Sequence, residues 1–226
     1  GGHAEQDAEA DITYRALLRS SLPLLVVASM GKVIRWTDTV LLGIWESARV
    51  VGIYEVAFKT SMLTAFILVA ANSVASPKFA AFHAEKDHDA LESLLQQVTL
   101  VVTILTVPVV VVLMVFPEYV LWVFGTEFGV GAGALRILAL GQFIGVTMGS
   151  VIQVLIMTGH EKTVRNVTIL GAVSNLVLNV FLVPLYGMYG AATATSTSSV
   201  IASVAAVYAM YHTLSMTAIP RRVLEG

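Results

Sequence analysis

The chain has 226 residues, of which 57% are hydrophobic and only 12% carry a charge. Soluble domains carry about 25% charged residues, so this composition excludes an ordinary soluble domain and indicates a protein that crosses a membrane several times. The sequence contains no cysteine, which excludes disulfides and thiolate metal sites. A net charge of −2 without any basic patch gives no support for a nucleic-acid partner.

Long apolar segments recur along almost the whole sequence and predict an all-α, polytopic integral membrane protein with six transmembrane helices. Each spanning helix needs about 20 predominantly apolar residues. In chain order, the predicted helices run from Tyr14 to Trp45, Val50 to Phe82, Ala90 to Phe116, Ala134 to Thr158, Thr163 to Leu185 and Gly190 to Leu214.

The predicted helices leave little room for anything else. Residues 1–12 are acidic and polar and are expected to be a disordered N-terminal segment. Residues 13–215 are expected to form one six-helix transmembrane lobe, and residues 216–226 a tail.

One longer connection follows the third predicted helix. Residues 117–124 predict a short interfacial helix, because Tyr119 and Trp122 suit the headgroup region of a membrane. Residues 125–133 are rich in glycine and predict a turn-rich link to the fourth helix.

Charged residues interrupt the first predicted helix near the middle of its apolar run. On a helix that turns 100° per residue, Lys32, Arg35, Trp36, Asp38 and Thr39 share one side. A charge at the centre of a bilayer costs roughly 2.5–3.5 kcal/mol on insertion scales. This cost favours a polar cavity inside a helix bundle; the alternative is a self-neutralising Arg35–Asp38 pair that only fixes helix packing.

Polar residues also follow the faces of three other predicted helices. Glu55 and Lys59 lie four residues apart on the second helix, with the glutamate first, which favours an ion pair. The stripes on the fourth and fifth helices combine small residues with amides and favour close helix packing, with contact to a substrate as the alternative. Their members are Gln142, Gly145, Gly149 and Gln153, and then Thr168, Ala172, Asn175 and Asn179.

Basic residues are distributed unequally between the alternate loops. Eight lie on one side of the predicted membrane and two on the other, so the positive-inside rule predicts that both termini are cytoplasmic. The two groups are Arg15, Arg19, Lys78, Lys86, Lys162, Arg165, Arg221 and Arg222 on the inside, and Arg49 and Arg136 on the outside.

Several short motifs do not indicate a catalytic, metal-binding or nucleotide-binding site. His83 and His88 lie in a polar loop, and His160 lies in a turn between helices, so a solvated linker explains them better than a metal site. The glycines of residues 129–133 lack the spacing of a dinucleotide-binding loop. With no pairing of a nucleophile and a base in the sequence, we expect no enzyme activity, no cofactor and no metal.

Several short sequence segments together resemble those of the oligosaccharide flippases, or polysaccharide biosynthesis proteins, of the MOP (MATE-like) transporter superfamily. The resemblance lies in the order and spacing of these segments over residues 15–213. In chain order they are Leu17–Leu25 leading to Asp38 and Leu41–Gly43; Val51–Ala57; Pro77; Phe116–Leu121; Phe124–Gly125; Phe128; Leu135–Leu138; Met157–Lys162; Asn175–Asn179; and Pro184–Ala192.

The resemblance implies a fold of two six-helix lobes around a central cavity that opens alternately to each side of the membrane. This chain has enough helices for one lobe, and it resembles the C-terminal lobe. Its expected partners are therefore membrane lipid and the first six-helix lobe, which would belong to the same longer chain or to a separate subunit.

The function implied is the flipping of a lipid-linked oligosaccharide, a polysaccharide precursor, across the cytoplasmic membrane for the cell envelope. Such substrates carry phosphate, so Arg35, Lys32 and Lys59 are the expected binding residues. Asp38 and Glu55 would orient these cations or carry coupling protons or sodium. The alternatives are a multidrug or cation antiporter of the same superfamily, a membrane polymerase or ligase, and a non-transporting partner subunit.

Overall fold

The computed structural model describes residues 25–29, 32 and 36–216, and all the regular structure in these ranges is helical. The described part of the first helix, α1, ends at residue 45; the predicted N-terminal segment and most of the tail lie outside the described residues. The other helices are α2 (Ala48–Ser61), α3 (Leu63–Ala84), α4 (His88–Val115), α5 (Pro117–Trp122), a 3-10 helix (Thr126–Gly131), α6 (Ala132–Met157) and α7 (Glu161–Leu214).

Four helical segments in the described part of the chain are long and apolar enough to cross a membrane. They are Ala48–Ala84, His88–Val115, Thr126–Met157 and Glu161–Leu214. The first of them is the predicted second helix, which a single turn at Met62 divides into α2 and α3. The chain is thus a multi-pass helical membrane protein, while the count of six spans stays a prediction.

The helix α7 is broken at Gly187, between the predicted fifth and sixth helices. Its 54 residues would extend for about 80 Å if straight, against a hydrocarbon core of about 30 Å. Gly187 has φ 53° and ψ −130°, which is not helical, and Gly190 lies against the backbone carbonyl of Leu182. The break therefore divides α7 into two arms, residues 161–186 and 188–214, which the structure folds back against each other.

The helix α6 packs against α2, α3, α4 and both arms of α7. Close approach depends on small residues, because a Cβ on Gly141 would overlap the backbone of Ser196 in the second arm of α7. One apolar cluster joins α2, the end of α4 and the start of α6, and a second joins α3, the start of α4 and the end of α6. Large apolar side chains on the outer faces of α3, α4 and α7 are exposed and suit contact with lipid.

The polar stripe predicted on the fourth helix takes part in this packing. Ser150 donates to the Asn72 side chain across 3.1 Å, and the Gln153 amide donates to the Ser76 hydroxyl across 2.9 Å. These bonds join α6 to α3. The assignment of Gln153 to helix packing is therefore confirmed.

The connection between α4 and α6 agrees in part with the sequence. Residues Pro117–Trp122 form the predicted short helix, and Tyr119 makes an edge contact with Trp122 at a centroid distance of 5.0 Å. The predicted turn-rich link is wrong over most of its length, since Thr126–Gly131 form a 3-10 helix. Gly125, with φ 135°, makes the turn that precedes it.

We expect Gly187→Ala to lower the stability of the chain by about 1–3 kcal/mol, because a backbone conformation open chiefly to glycine would be imposed on a residue with a Cβ. The added Cβ would also overlap the Glu46 carboxylate. Gly52→Ala is the control, because an added Cβ there meets nothing within 4 Å and alanine favours a helix. Thermal unfolding in detergent measures both; equal melting temperatures would show that the break tolerates an ordinary residue.

Candidate functional site

Asp38 is the most buried ionisable side chain among the described residues of α1, with only 2% of its surface exposed. Both carboxylate oxygens accept hydrogen bonds from side chains of other helices. We call Asp38 and its four donors, Tyr54, Asn175, Asn179 and Thr195, the Asp38 cluster. The cluster joins α1 to α2 and to both arms of α7.

The oxygen Oδ1 of Asp38 faces two amides from the first arm of α7. Asn179 donates from Nδ2 across 2.7 Å and Asn175 donates from Nδ2 across 3.2 Å. The two asparagines lie four residues apart, so they stand one helical turn from each other on one face. Because amide nitrogens only donate, Oδ1 lies in a setting that favours an ionised carboxylate.

The oxygen Oδ2 of Asp38 faces two hydroxyls instead. Tyr54 of α2 donates across 2.9 Å, and Thr195 of the second arm of α7 donates across 2.5 Å. The two hydroxyl oxygens are 3.5 Å apart. A hydroxyl can donate or accept, so the bonds at Oδ2 can reverse when this oxygen takes up a proton.

Each of the two asparagine amides makes a second hydrogen bond, and these bonds fix the orientation of both side chains. Asn175 Nδ2 also donates to Thr195 across 3.2 Å, and Asn179 Nδ2 also donates to the backbone carbonyl of Asn175 across 3.0 Å. Both amide oxygens are buried and accept no hydrogen bond from the described residues. The cluster therefore presents several oxygen atoms around one carboxylate.

This arrangement can stabilise two charge states of Asp38. Every partner of the carboxylate among the described residues is neutral. Burying a charge among neutral donors costs free energy. A proton on Oδ2, or a small cation held by the surrounding oxygens, would remove this cost. The described residues contain no group of three or more His, Cys, Asp or Glu side chains placed to hold a metal ion.

The structure places Glu55 and Lys59 together, as the sequence predicted. The Lys59 ammonium lies 3.6 Å from Glu55 Oε2, and Thr39 of α1 donates to Glu55 Oε1 across 2.6 Å. Glu55 therefore connects α2 to α1 beside the Asp38 cluster. The Lys59 side chain is 66% exposed, so this ion pair contributes little to stability.

The predicted charged face of the first helix is divided in the structure. Asp38 points inward, whereas Trp36 is 71% exposed and lines an open groove with Lys32, between α1 and Leu176 of α7. The prediction of one shared polar side is therefore wrong for Asp38 relative to Lys32 and Trp36, because the predicted positions extend over nearly half of the helix circumference. Arg35 lies outside the described residues.

Sequence reasoning did not identify four members of the Asp38 cluster as functional. It assigned Asn175 and Asn179 to helix packing, and it gave Tyr54 and Thr195 no individual role. The spacing of the two asparagines was the available signal, because amides one turn apart can bind one carboxylate. The identity of that carboxylate depends on how α1 packs against the first arm of α7, which sequence spacing does not give.

The sequence of the chain matches a family model and two curated proteins. The family model described as MatE matches residues 23–181. Over 178 residues the chain is 28% identical to the probable low-salt glycan biosynthesis flippase Agl15 of Haloferax volcanii, covering 77% of this chain and 37% of that protein. Over 159 residues it is 27% identical to the probable flippase AglR of the same organism, covering 68% and 33%. The chain thus spans about a third of the length of these relatives.

The fold is also that of known transporters. The structure of a multidrug resistance MATE family transporter of the MOP superfamily, in an outward-facing conformation, superimposes with a TM-score of 0.76 at 20% sequence identity. The match covers 92% of this chain and 47% of that one. The chain therefore has the fold of about half of such a transporter.

We expect Asn179→Leu to destabilise the chain by about 1–3 kcal/mol, because it removes one partner and leaves the buried Asp38 carboxylate short of a donor. Asn166→Leu is the matched control on the same arm of α7. Asn166 is exposed, and within the described ranges its side chain accepts hydrogen bonds only from Arg165, so its replacement should change stability by no more than about 0.5 kcal/mol. Thermal unfolding in detergent decides; equal effects of the two changes would remove the energetic importance of the cluster.

Proposed function

The chain belongs to the MatE family, and we propose that it is one lobe of a transporter that flips a lipid-linked oligosaccharide across the cytoplasmic membrane. The two curated relatives above are named as probable flippases, one of them in glycan biosynthesis. Because this chain covers 47% of a solved transporter of the same fold, we further propose that a second lobe completes it, in the same longer chain or as a separate subunit.

The observation that carries this proposal is the burial of Asp38 within the Asp38 cluster. A transporter of alternating access needs an element with two arrangements whose balance a ligand can shift. Asp38 provides one, because binding of a proton or a sodium ion to its carboxylate would change the bonds to α2 and to both arms of α7 at once. We therefore assign Asp38 the role of coupling residue.

We assign the anionic part of the substrate to the basic residues near α1. Lys32 borders an open groove whose other walls include Trp36, Val40 and Leu176, so an ammonium lies beside apolar surface. That combination suits a phosphate joined to a lipid chain. Arg35 is three residues from Lys32 and would offer a second, bidentate contact. Lys59 would add a third positive charge, oriented by Glu55.

The alternatives have less support. A multidrug antiporter shares the fold, but its likeness to this chain is at 20% identity, whereas the two relatives named as flippases are 28% and 27% identical. A membrane polymerase or ligase and a non-transporting subunit have no relative among these matches. Transport of a lipid-linked glycan remains the function that the family and the site support best.

The test is restoration of surface glycan in a strain that lacks its own flippase, with the chain expressed from its native gene so that any further lobe is present. We expect Asp38→Asn to reduce surface glycan to background, because the amide neither takes up a proton nor carries a charge. Arg35→Ala should do the same if Arg35 contacts the substrate phosphate, and Arg35→Lys should also impair flipping, since lysine lacks the planar fork.

Glu118→Gln is the matched control, because it removes one negative charge from an exposed position on α5. Protein in the membrane is measured for every variant. Normal glycan with Asp38→Asn would remove Asp38 from coupling. Loss of glycan only in proportion to loss of protein would reduce Arg35 to a packing residue.

The orientation of the lobe is a second part of the proposal. The basic residues predict that Ser215 is cytoplasmic and Ser47 external. Because the chain has no native cysteine, single changes Ser47→Cys and Ser215→Cys can be probed with a membrane-impermeant maleimide in intact cells. Both serines are exposed. We expect labelling of Ser47→Cys alone, with both labelled after lysis; the opposite pattern in intact cells would invert the topology.

A further inference from the structure

A cavity of about 240 Å³ lies between α6 and the two arms of α7, with Phe58 of α2 at one wall. We call it the α6–α7 cavity. Six of its 13 lining residues carry a hydroxyl or an amide, and none carries a charge. These six are Gln142, Thr168, Thr195, Ser196, Ser198 and Ser199.

The polar groups of this cavity have unused hydrogen-bonding capacity. Thr168 and Ser198 donate to backbone carbonyls of their own arms, and Ser196 donates to the carbonyl of Ile137, so each keeps its lone pairs. The side chains of Gln142 and Ser199 make no hydrogen bond within the described part of the chain. Buried water needs two to four polar partners and about 30 Å³ of space per molecule. The cavity is large enough for several waters, and its polar side chains, which stand in a largely apolar wall, offer hydrogen-bond partners for them.

One residue of the cavity wall also belongs to the Asp38 cluster. Thr195 lines the cavity and donates from Oγ1 to Asp38 Oδ2. The carboxylate itself does not line the cavity. Thr195 therefore stands between Asp38 and the α6–α7 cavity, and its hydroxyl can turn from one to the other by rotation about a single bond.

We propose that the α6–α7 cavity is hydrated and that Thr195 relays the proton of Asp38 to this water. The inference rests on the proposed coupling role of Asp38. On release, the bond between the proton and Asp38 Oδ2 breaks as a new O–H bond forms at Thr195 Oγ1. The original proton of that hydroxyl passes to a cavity water, which becomes hydronium. Uptake is the reverse, so Thr195 returns to its starting state.

The other titratable groups near Asp38 do not offer the same route. Tyr54 of α2 touches Oδ2 but does not line the cavity, and Glu55 of α2 contacts α1 through Thr39. Lys32 of α1 faces the separate open groove. Among the described residues that donate hydrogen bonds to Asp38, only Thr195 also borders the α6–α7 cavity.

Hydration is tested with single cysteines in the purified chain, which has none of its own. Ser199→Cys places a thiol in the cavity wall. Val204→Cys, on the same arm at a position 62% exposed toward lipid, and Ser203→Cys, 7% exposed in the packed interior, are the controls. A small, positively charged methanethiosulfonate reacts with the thiolate, which forms in water, so Ser199→Cys should react at least about tenfold faster than either control. Equal rates at all three positions would show that the cavity is dry and overturn the proposal.

The relay is tested by hydrogen–deuterium exchange of the protonated Asp38 carboxyl, followed by its infrared carbonyl band at acidic pH and identified by its loss in Asp38→Asn. Thr195→Val keeps the shape of the side chain but removes the hydroxyl, and should slow exchange by about 10²-fold or more. Thr195→Ser should exchange like the unchanged chain. Exchange in Thr195→Val at the unchanged rate would overturn the relay.

The two measurements are independent of the transport assay. Should Thr195→Val fail to fold, a slowed exchange in Gln142→Leu, which removes a polar group from the cavity and leaves the cluster intact, serves in its place. Unchanged exchange in both would count against the route. Neither measurement involves a substrate, so loss of the flippase proposal would leave each result interpretable by itself.

Discussion

The constraint on which the rest of this lobe depends is the burial of one carboxylate in the interior of a membrane protein. Asp38 is only 2% exposed, so its charge must be met by donors that the protein itself supplies. Four neutral side chains from α2 and both arms of α7 do so, two at each oxygen. The relative positions of α1, α2 and both arms of α7 are therefore coupled to the state of a single side chain.

The break at Gly187 makes this convergence possible. Asn175 and Thr195 are 20 residues apart and would be separated by about 30 Å on one straight helix. Their side chains are 3.2 Å apart, because the chain reverses direction between Leu182 and Gly190. The positive φ of Gly187 is thus a condition for the cluster as well as for a compact lobe. Small residues on α6 then allow the second arm to approach closely, and this packing forms part of the wall of the α6–α7 cavity.

Composition and hydrophobic length were sufficient to predict the helical membrane fold, and α4 and α6 begin and end within about two residues of their predicted limits. The Glu55–Lys59 pair followed from local spacing alone, because both residues lie on one helix. The Asp38 cluster did not, since its contacts connect positions up to 157 residues apart. Periodicity also placed Trp36 and Asp38 on one face, although they are about 160° apart around the helix. The angle between residues around a helix shows which side chains lie on one broad face. Which part of that face is buried depends on how the helix packs against its neighbours.

The two oxygens of Asp38 accept hydrogen bonds from chemically different donors, and this difference makes the two oxygens unequal as sites for a proton. Amide nitrogens at Oδ1 can only donate, so a proton placed on this oxygen would take a lone pair from one of the two amides and lose that hydrogen bond. Hydroxyls at Oδ2 can reverse, so a proton there exchanges one bond pattern for another with the same number of partners. A proton on Oδ2, the oxygen that faces Tyr54 of α2 and Thr195 of the second arm of α7, therefore costs fewer hydrogen bonds than a proton on Oδ1. The first arm keeps its hydrogen bonds to Oδ1 whether or not Oδ2 carries a proton. A change of charge at Asp38 would accordingly act on the contact of α1 with α2 and the second arm, and leave its contact with the first arm as the fixed point of any movement.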